Sequence, residues 1–482
     1  MAVAGANPGS SIKTTVPARL DRLPWARFHL MVVVALGITW VLDGLEVTIV
    51  GALSGVLQSE HTLHLSSAQI GSVASCYVAG AVLGAIVFGW LTDRFGRRKM
   101  FYITLAVYLG GVILTAVSWG MGSFAFFRFI TGLGIGGEYA AINSAIDELI
   151  PARLRGRIDL IVNGSYWIGA GIGAAATILL LNPNLLPVDL GWRLGFGIGG
   201  LLGLAILVLR RHVPESPRWL VTHGYDKAAE EVVSGIEDAV RKETHQQRAF
   251  AEPGKALTIH PRRTFGFGLI ANAMLAKYRA RSALALSLMV AQAFLYNAVF
   301  FTYGLVLTRF YGVSAEGIGL YILPLAVGNF LGPLLLGRFF DTVGRRRMIS
   351  TTFGLAGLLL IATALLFASG QLSDVSQTAA WTVIFFFASA ASSSAYLTAS
   401  EIFPLETRAL AIAVFYAAGT AIGGIVAPWL FGTLIGTGSR WNVFFGYCGA
   451  ALLMFAAAVM ELRFGVDAEG RALEQIAEPL SA

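Results

Sequence analysis

Twelve long apolar runs, six on each side of a polar interval, constrain this sequence more than any other feature. Each run approaches or exceeds the roughly 20 residues that cross a bilayer as a helix. Charged residues make up only 13% of the 482 residues, about half the roughly 25% usual in soluble domains, so a soluble fold would have too little polar surface. The pattern argues against a soluble enzyme, a nucleic-acid-binding domain or a disordered chain. It predicts an all-α membrane protein with 12 transmembrane helices, the spans, near residues 28–57, 68–92, 100–118, 122–150, 157–181, 191–210, 282–311, 315–337, 348–369, 378–402, 408–436 and 441–462.

The polar interval between the two sets of spans divides the chain. Its charged residues, among them Glu230, Glu237 and Arg241, indicate a solvated helical region rather than a span. We therefore expect five parts: a cytoplasmic N-terminal tail at 1–27, a six-helix bundle at 28–210, a cytoplasmic linker with short helices at 211–281, a second six-helix bundle at 282–463 and a cytoplasmic C-terminal tail at 464–482.

The distribution of lysine and arginine predicts the orientation of the chain. With both termini in the cytoplasm, all but four of the 35 basic residues fall in the tails, the linker or the inner loops. The short inner loops agree, because 94–99 carries four basic residues and 345–347 carries three, and positively charged loops stay inside. The sequence thus predicts an integral protein of a plasma membrane, the inner membrane of a bacterium, with both termini in the cytoplasm.

An internal repeat relates the two sets of spans. Residues 89–98 (GWLTDRFGRR) recur as 337–346 (GRFFDTVGRR), 248 positions later. A second pattern, E-x-x-P-x-x-x-R at 148–155, recurs at 401–408, 253 positions later. Two motifs in the same order at nearly the same offset indicate a duplicated six-helix unit. Parallel duplication of this kind predicts two pseudo-symmetric halves, related by an axis along the membrane normal.

These motifs carry a family resemblance that covers essentially the whole chain. The pattern G-x-x-x-D-R-x-G-R-R between spans 2 and 3, repeated between spans 8 and 9 with Thr342 in place of its first arginine, resembles the signature of the major facilitator superfamily. Residues 214–220 (PESPRWL) resemble a signature of sugar porters and their organic-ion relatives. Residues 43–47 (DGLEV) are similar to the synaptic-vesicle-glycoprotein branch and to bacterial metabolite permeases. The resemblance implies the major facilitator fold and transport by alternating access.

The loop motifs predict a cytoplasmic gate. Charge pairs between the two halves would close the inner side while the cavity faces outward, each contributing about 0–1 kcal/mol. The alternative interpretation is topology alone, in which insertion rules retain the positive residues inside. Topology alone does not require aspartate and glycine at this spacing, so the motif favours a gate. The predicted gate residues are Asp93, Arg94, Arg97, Glu148, Arg155, Asp341, Arg345, Glu401 and Arg408.

Four charged residues fall inside the predicted spans: Asp43, Glu46, Arg128 and Glu138. Each costs about 2.5–3.5 kcal/mol to insert, so such residues usually have a partner or a function. Asp43 and Glu46 share a face of span 1, since they are three residues apart. We expect them to form a cluster with the charges of span 4.

Proton-coupled sugar porters pair an aspartate of span 1 with an arginine of span 4. The resemblance implies that Arg128 is this arginine, and that Asp43 or Glu46 is the acid. Protonation of the acid would then release Arg128 and couple protons to substrate. Glu138 has no counterpart in the sugar-porter pattern. The alternative is a static buried ion pair that fixes helix packing.

The substrate cavity is expected near the midplane, where the halves meet. Gln292 and Asn297 match the second glutamine and the asparagine of the sugar-porter Q-Q-x-x-G-x-N motif, but Ala291 replaces its first glutamine and Leu295 its glycine. A strict hexose site is therefore in doubt. The other candidate wall residues are Asn163, Tyr166, Trp167, Tyr296, Tyr303, Asn329 and Tyr396.

Several motifs are absent from the sequence. There is no Walker A lysine of an ATP-driven pump, no cluster with metal-ligand spacing, and no proline in the span-5 motif typical of drug antiporters. We therefore predict a secondary active transporter without cofactor or metal, which acts as a monomer. It is expected to couple uptake of a small organic metabolite, a sugar, a polyol or an aromatic organic acid, to protons. The alternatives are an organic-cation uniporter or antiporter, and a membrane receptor that no longer transports.

Overall fold

The computed structural model describes residues 12–53, 57, 60–65, 67–180, 185–210, 213–244, 250, 256–259, 272–299, 302–313 and 318–480. Long apolar runs without internal turn residues form helices, because a lipid-exposed backbone must satisfy its own hydrogen bonds. The helices of the first half are Arg27–Leu53 (span 1), Ser67–Phe95 (span 2), Arg97–Ala116 (span 3), Met121–Leu149 (span 4), Arg155–Gly164 with Tyr166–Leu180 (span 5) and Val188–Arg210 (span 6).

The second half repeats this arrangement. Span 7 is built from two helices, and span 11 contains a π-helical turn at Thr420–Gly424. The helices are Arg279–Val299 with Tyr303–Tyr311 (span 7), Ile318–Thr342 (span 8), Arg345–Ala368 (span 9), Asp374–Glu401 (span 10), Arg408–Gly419 with Ile425–Gly436 (span 11) and Arg440–Phe464 (span 12). The predicted architecture of twelve helices is confirmed.

Ten of these spans are long and apolar enough to cross a membrane by length and composition alone, within the described residues. The remaining two are spans 4 and 5. Span 4 carries the charges of Arg128, Glu138, Asp147 and Glu148. Span 5 is interrupted at Ser165, so each of its two pieces is short. The two spans that depart most from a simple apolar helix contribute to both sites described below.

The packing of the helices follows the sequence repeat. Span 4 packs on spans 2 and 3, and span 10 packs on spans 8 and 9 in the same way. The halves meet where span 2 contacts span 11 and where span 5 contacts span 8. In the repeat, span 2 corresponds to span 8 and span 5 to span 11, so the two contacts are equivalent. The halves are therefore related by a pseudo-twofold axis. The space between them contains the candidate site.

Spans 1 and 5 approach each other unusually closely beside this space. A Cβ atom added to Gly44 would collide with the backbone carbonyl of Tyr166, and one added to Gly169 would collide with that of Val41. Only glycine permits such contact between backbones. The approach brings Asp43 of span 1 to the same wall as Tyr166 of span 5.

A small unit outside the helix bundles combines the N-terminal tail with the linker, which the sequence did not predict. Strand β1 (Ile12–Thr14) pairs antiparallel with β2 (Leu257–Ile259). The tail helix Val16–Asp21 and the linker helix Asp226–Thr244 share an apolar cluster separate from the main core. Glu237 lies between Arg19 and Arg22, at 2.7 and 2.6 Å. Although burial opposes ionisation, bonds from these two arginines lower the pKa of Glu237 below its ordinary value.

Candidate transport site and inner gate

A cavity of about 230 Å³ lies between the two halves. Its walls are largely aromatic, with amide and hydroxyl groups among the rings. The aromatic side chains are Trp40, Tyr77, Tyr139, Tyr166, Trp167, Tyr296, Tyr396 and Tyr416. The polar side chains include Asn163, Gln292, Asn297, Ser389, Ser392 and Ser393. A site with flat apolar faces and a few oriented hydrogen-bonding groups is typical of small-molecule binding.

Seven of the nine predicted substrate residues line this cavity, and Tyr303 and Asn329 do not. The Tyr303 hydroxyl is buried against that of Thr378 at 2.5 Å. Asn329 lies behind the wall, where its Oδ1 accepts a hydrogen bond from the Tyr296 hydroxyl at 2.5 Å. Asn329 therefore orients a wall residue, whereas Tyr303 packs within its own half.

The sequence reasoning missed four aromatic wall residues: Trp40, Tyr77, Tyr139 and Tyr416. Two of them had a signal in the sequence. Trp40 precedes Asp43 by three residues and so shares its helix face. Tyr416 is the repeat equivalent of Asn163, at the 253-residue offset. The other two, Tyr77 and Tyr139, face the cavity because of the rotation of spans 2 and 4 about their axes, which the sequence does not specify.

Asp43 is the one carboxyl that lines the cavity among the described residues, and no lysine or arginine there lines it. Its side chain is buried and accepts hydrogen bonds from the hydroxyls of Tyr77, at 3.1 Å, and Tyr139. The ring of Trp40 stacks on Tyr139 with centroids 4.3 Å apart and planes 6° apart. Asp43 is thus oriented by two phenols and has no cation beside it in the cavity wall.

Arg128 pairs with the other span-1 acid, Glu46. Both side chains are almost completely buried, and the guanidinium lies 4.3 Å from the ring centroid of Tyr77. Neither residue lines the cavity. The sequence left open which acid meets Arg128. In this structure the arginine is engaged by Glu46, while Asp43 faces the cavity.

Glu138 does not join the cluster expected between spans 1 and 4. It pairs instead with Arg210 of span 6, and both side chains are fully buried. Arg210 also donates to the Phe101 carbonyl at 3.0 Å and to the Thr39 hydroxyl. Arg210, the last residue of predicted span 6, belongs to the basic residues that the orientation count places on the inner side. It is therefore not one of the four charges predicted inside the spans. Glu46 is thus paired with Arg128 and Glu138 with Arg210. Of the three acids predicted inside the spans, Asp43 is the one that has no arginine partner among the described residues.

The first repeat motif closes one side of the inner gate. Arg97 contacts Asp93 at 3.1 Å and Glu148 at 2.8 Å, and Arg408 from the other half reaches Glu148 at 3.3 Å. Asp93 also accepts the backbone N–H groups of residues 409 and 410, at 3.3 and 2.9 Å. These groups begin the helix of span 11, and a helix N-terminus favours a carboxylate.

The second motif closes the other side in the same way. Arg345 contacts Asp341 at 2.8 Å and Glu401 at 2.9 Å, and Arg155 reaches Glu401 at 3.5 Å. Asp341 accepts the N–H groups of residues 156 and 157, at 3.0 and 2.7 Å, where span 5 begins. Each half thus inserts an aspartate at the start of a helix of the other half. These contacts join the two halves on the side of the protein that carries both tails.

Arg94 lies outside this network, although it was predicted to belong to it. Its side chain is exposed, and its guanidinium lies over the rings of Trp90 and Phe95 at 5.2 and 5.5 Å. The adjacent residue Asp93 points to the opposite face of the helix, toward span 11. An arginine at this position follows the positive-inside pattern without taking part in the gate.

Residues 214–220 contact the two motifs on the side of the tails. Glu215 accepts the N–H groups of Arg97, at 2.8 Å, and Arg98, at 3.2 Å, at the start of span 3. Burial raises the pKa of the Glu215 carboxyl, although these N–H groups and Arg97 oppose the shift. Arg218 binds Asp21 of the N-terminal tail at 3.0 Å and Glu474 of the C-terminal tail at 2.5 Å. Both tails therefore meet at one arginine below the gate.

Asp93→Asn and Asp341→Asn are expected to open the inner gate to similar extents. Each removes a carboxylate from a helix N-terminus of the other half, worth about 0.3–2 kcal/mol, and an ion pair with it. The open population should rise by up to roughly tenfold, since 1.4 kcal/mol is a factor of ten. The measurement is labelling of a Ser393→Cys reporter from the cytoplasmic side of inside-out vesicles, without Cys76 and Cys448. Arg94→Gln is the matched control and should leave labelling unchanged; equal labelling in all three variants would contradict the gate.

Comparison with known proteins places this geometry in a family. A family model described as sugar (and other) transporter matches residues 38–479. The chain belongs to the sugar (and other) transporter family. This member of the family is therefore an integral membrane transporter, and its predicted relation to sugar porters is confirmed.

Two curated relatives span nearly the same length. The niacin transporter NiaP of Acinetobacter baylyi is 26% identical over 460 residues, covering 95% of this chain and 99% of that protein. Myo-inositol transporter 2 of Schizosaccharomyces pombe is 27% identical over 436 residues, covering 86% and 76%. The family thus includes proteins named for an aromatic vitamin and for a polyol.

A solved structure shows the same fold. The proton:xylose symporter XylE bound to 6-bromo-6-deoxy-D-glucose superposes with a TM-score of 0.77 at 19% identity, over 93% of this chain and 98% of that one. The inward open conformation of XylE from Escherichia coli gives a TM-score of 0.63. Both structures show that this chain has their fold.

Proposed function

We propose that this transporter is a proton-coupled symporter of a plasma membrane, the inner membrane of a bacterium, with both termini in the cytoplasm. One observation carries the proposal: among the residues that the structure describes, the cavity between the halves contains a single buried carboxyl, Asp43, without a cation in its wall. A neutral acid is far cheaper to bury than an unpaired carboxylate. Closure of the cavity around Asp43 is therefore favourable only when the acid carries a proton.

Alternating access follows from this requirement. On the outer side Asp43 takes up a proton and substrate enters the cavity, after which the outer side closes. The gate ion pairs of Asp93 and Asp341 then part, and substrate and proton leave to the cytoplasm. Arg128 does not compete for Asp43 in this scheme, since Glu46 holds it. The Glu46–Arg128 pair instead fixes the packing of spans 1 and 4.

The moving parts are proposed to be the two halves. Residues 28–210 and 282–463 would rock as units about the cavity. Residues 1–27 and 211–281 would form one cytoplasmic cap, since their strands pair and their helices share a core, and residues 464–482 would follow the second half. Because the cavity and gate are complete within one chain, we propose that the monomer is the transporting unit.

The substrate is proposed to be a compact ring-shaped metabolite that is uncharged in the cavity. Eight aromatic side chains offer flat faces, and Asn163, Gln292 and Asn297 offer amides for ring substituents. The relatives named for niacin and myo-inositol support ring-shaped substrates. The wall provides no cation for a carboxylate, so an aromatic acid would bind in its protonated form.

A second candidate is an organic cation. Asp43 lies beside the stacked rings of Trp40 and Tyr139, and a carboxylate among aromatic faces suits a cation. A cationic substrate would neutralise Asp43 itself, and its uptake would then proceed without a coupled proton.

Counterflow in proteoliposomes distinguishes these substrates. With nicotinamide, myo-inositol, nicotinate and choline as probes, we expect exchange of an uncharged ring compound to be at least tenfold faster than that of choline, a difference of about 1.4 kcal/mol. Exchange of choline alone would replace the proposal with the organic-cation alternative. Thermal stabilisation by a probe without any exchange would indicate a receptor instead of a transporter.

A further inference from the structure

Four polar side chains form a ladder between spans 4 and 5. Asn143 and Asp147 are one helical turn apart on span 4, and Asp159 and Asn163 are one turn apart on span 5. Residues four apart share a helix face, and the Asn163 side chain donates to Asn143 Oδ1 at 3.1 Å, so the two faces oppose each other. These four residues are called the polar ladder.

The polar ladder connects the cavity to the inner gate. At its upper end Asn163 lines the cavity and donates to Asp159 Oδ2 at 3.1 Å. At its lower end Asp147 and Asp159 lie one helical turn farther from the cavity, and Arg155 of the gate donates to the Asp147 carbonyl at 3.1 Å. Asp147 and Asp159 are 0% exposed, so the closed gate isolates them from water.

The two aspartates of the ladder have no cation partner. Within the described residues neither carboxyl has a lysine, arginine or histidine nitrogen within 4.0 Å. Among the described residues, no donor meets hydrogen-bond geometry at either oxygen of Asp147 or at Oδ1 of Asp159, although the Ser400 hydroxyl lies near Asp147. Within the two repeat motifs four arginines face four acids, and Asp21 also lies 3.5 Å from Arg155, so these arginines have no positive charge left over for the ladder. These pairs are Asp93, Glu148, Asp341 and Glu401 with Arg97, Arg408, Arg345 and Arg155.

The groups that face the two aspartates come from both halves. Each faces a mixture of gate arginines and the same additional acid, Glu401. Asp147 is faced by Glu401, Arg155, Arg408 and Ser400. Asp159 is faced by Asp147, Glu401, Arg345 and Asn163. Ionisation of both aspartates would add two negative charges to a buried cluster whose arginines already have acid partners.

We propose that Asp147 and Asp159 form a second proton-binding site, which holds protons while the inner gate is closed and releases them to the cytoplasm when it opens. A protonated carboxyl needs no counter-ion and can donate a hydrogen bond to the neighbouring acid. Opening separates span 5 from span 8 and admits water, which removes the cost of ionisation. The protons return from the cytoplasm when the gate closes.

The second site differs from Asp43 in where its protons go. Asp43 carries a proton across the membrane, whereas the polar ladder exchanges protons with the cytoplasm alone. An acidic cytoplasm holds the gate closed and an alkaline cytoplasm favours the open gate. This site requires alternating access, but it does not require the coupling role proposed for Asp43.

The test is the pH dependence of gate opening without substrate, measured with the Ser393→Cys reporter in inside-out vesicles. If one proton leaves on opening, the open-to-closed ratio of the wild-type gate should rise by up to roughly tenfold per pH unit, and by up to roughly a hundredfold if two leave. In an Asp43→Asn background, which lacks the coupling proton, Asp147→Asn/Asp159→Asn should remove this slope and keep labelling low, because asparagine is neutral at every pH. Asp43→Asn should retain the slope, which separates this site from the coupling site.

A matched control is available in Glu461→Gln. Glu461 is also buried, with its Oε2 unpartnered, but lies on span 12, and the variant should retain the wild-type slope. Infrared difference spectra of the intact protein provide a second readout, in which carboxylic acid bands that disappear with rising pH should be smaller in the double variant. A wild-type slope in the double variant would overturn the proposal, as would unchanged bands.

Discussion

Asp43→Asn is expected to abolish accumulation of substrate against its gradient while leaving substrate exchange intact. Tyr77 and Tyr139 donate to different oxygens of Asp43, so asparagine keeps an acceptor for one hydroxyl and presents an amide N–H donor to the other, but it cannot bind a proton. Hydrogen bonds to a neutral acceptor are about 1 kcal/mol weaker than those to a charged one, so counterflow should remain within about tenfold of wild type. The measurements are labelled-substrate accumulation under an imposed pH gradient and counterflow without one, in the same proteoliposomes.

The matched control for this variant is Asp189→Asn. Asp189 is a half-exposed acid of span 6 that pairs with Arg193 at 3.1 Å. Asp189 does not line the cavity, and its substitution should leave accumulation and exchange unchanged. Retained accumulation in Asp43→Asn would remove this residue from the coupling mechanism, and loss of exchange as well as accumulation would indicate a purely structural role.

Glu46→Gln and Arg128→Met are expected to destabilise the protein strongly when made singly. Each leaves a buried charge without its partner, which costs about 3–5 kcal/mol. The double variant Glu46→Gln/Arg128→Met contains no buried charge at this position and should recover most of that loss. The measurement is the denaturation midpoint in detergent for the two single variants and the double variant, read as a double-mutant cycle.

The exposed pair Asp189–Arg193 is the comparison for this cycle as well. Its side chains are 48% and 28% exposed, and a pair of this kind contributes about 0–1 kcal/mol. Stability losses at Glu46 and Arg128 no larger than those at Asp189 and Arg193 would contradict a buried structural pair. A double variant that accumulates substrate would confirm that coupling does not pass through Arg128.

The fold was predictable because its signals are local and repeated. Twelve apolar runs, the motifs at 89–98 and 337–346 and the 253-residue offset predicted both the helices and the twofold arrangement of the gate. The tail strand Ile12–Thr14 was not predictable, since three residues pair with a strand more than 240 positions away and no local pattern encodes that partner.

The site was predictable to the level of helix faces. Gln292, Asn297 and Asn163 were found on the cavity wall, but the sequence could not decide between Asp43 and Glu46. Residues three apart on a helix share a face only approximately, so the rotation of span 1 decides which acid meets the arginine. That rotation depends on the close packing of span 1 against span 5.

Charges near span ends were the largest source of error. The position of Arg210 at the end of span 6 is explained equally well by the positive-inside rule, yet its side chain is buried and pairs with Glu138. Asp147 lies beside a gate motif, and its missing partner is visible only when the neighbouring spans are placed around it. Composition shows that a charge is present, whereas its pairing depends on tertiary contacts.

The central claim, that Asp43 is the proton-binding group of the transport cycle, is tested most directly by substrate-driven proton movement. A pH electrode follows the medium outside wild-type and Asp43→Asn proteoliposomes when external substrate is added, with substrate entry measured in parallel. The account predicts alkalinisation by the wild type and none by the variant, although substrate still enters the variant liposomes down its gradient. Alkalinisation by Asp43→Asn at the wild-type ratio of protons to substrate would contradict it.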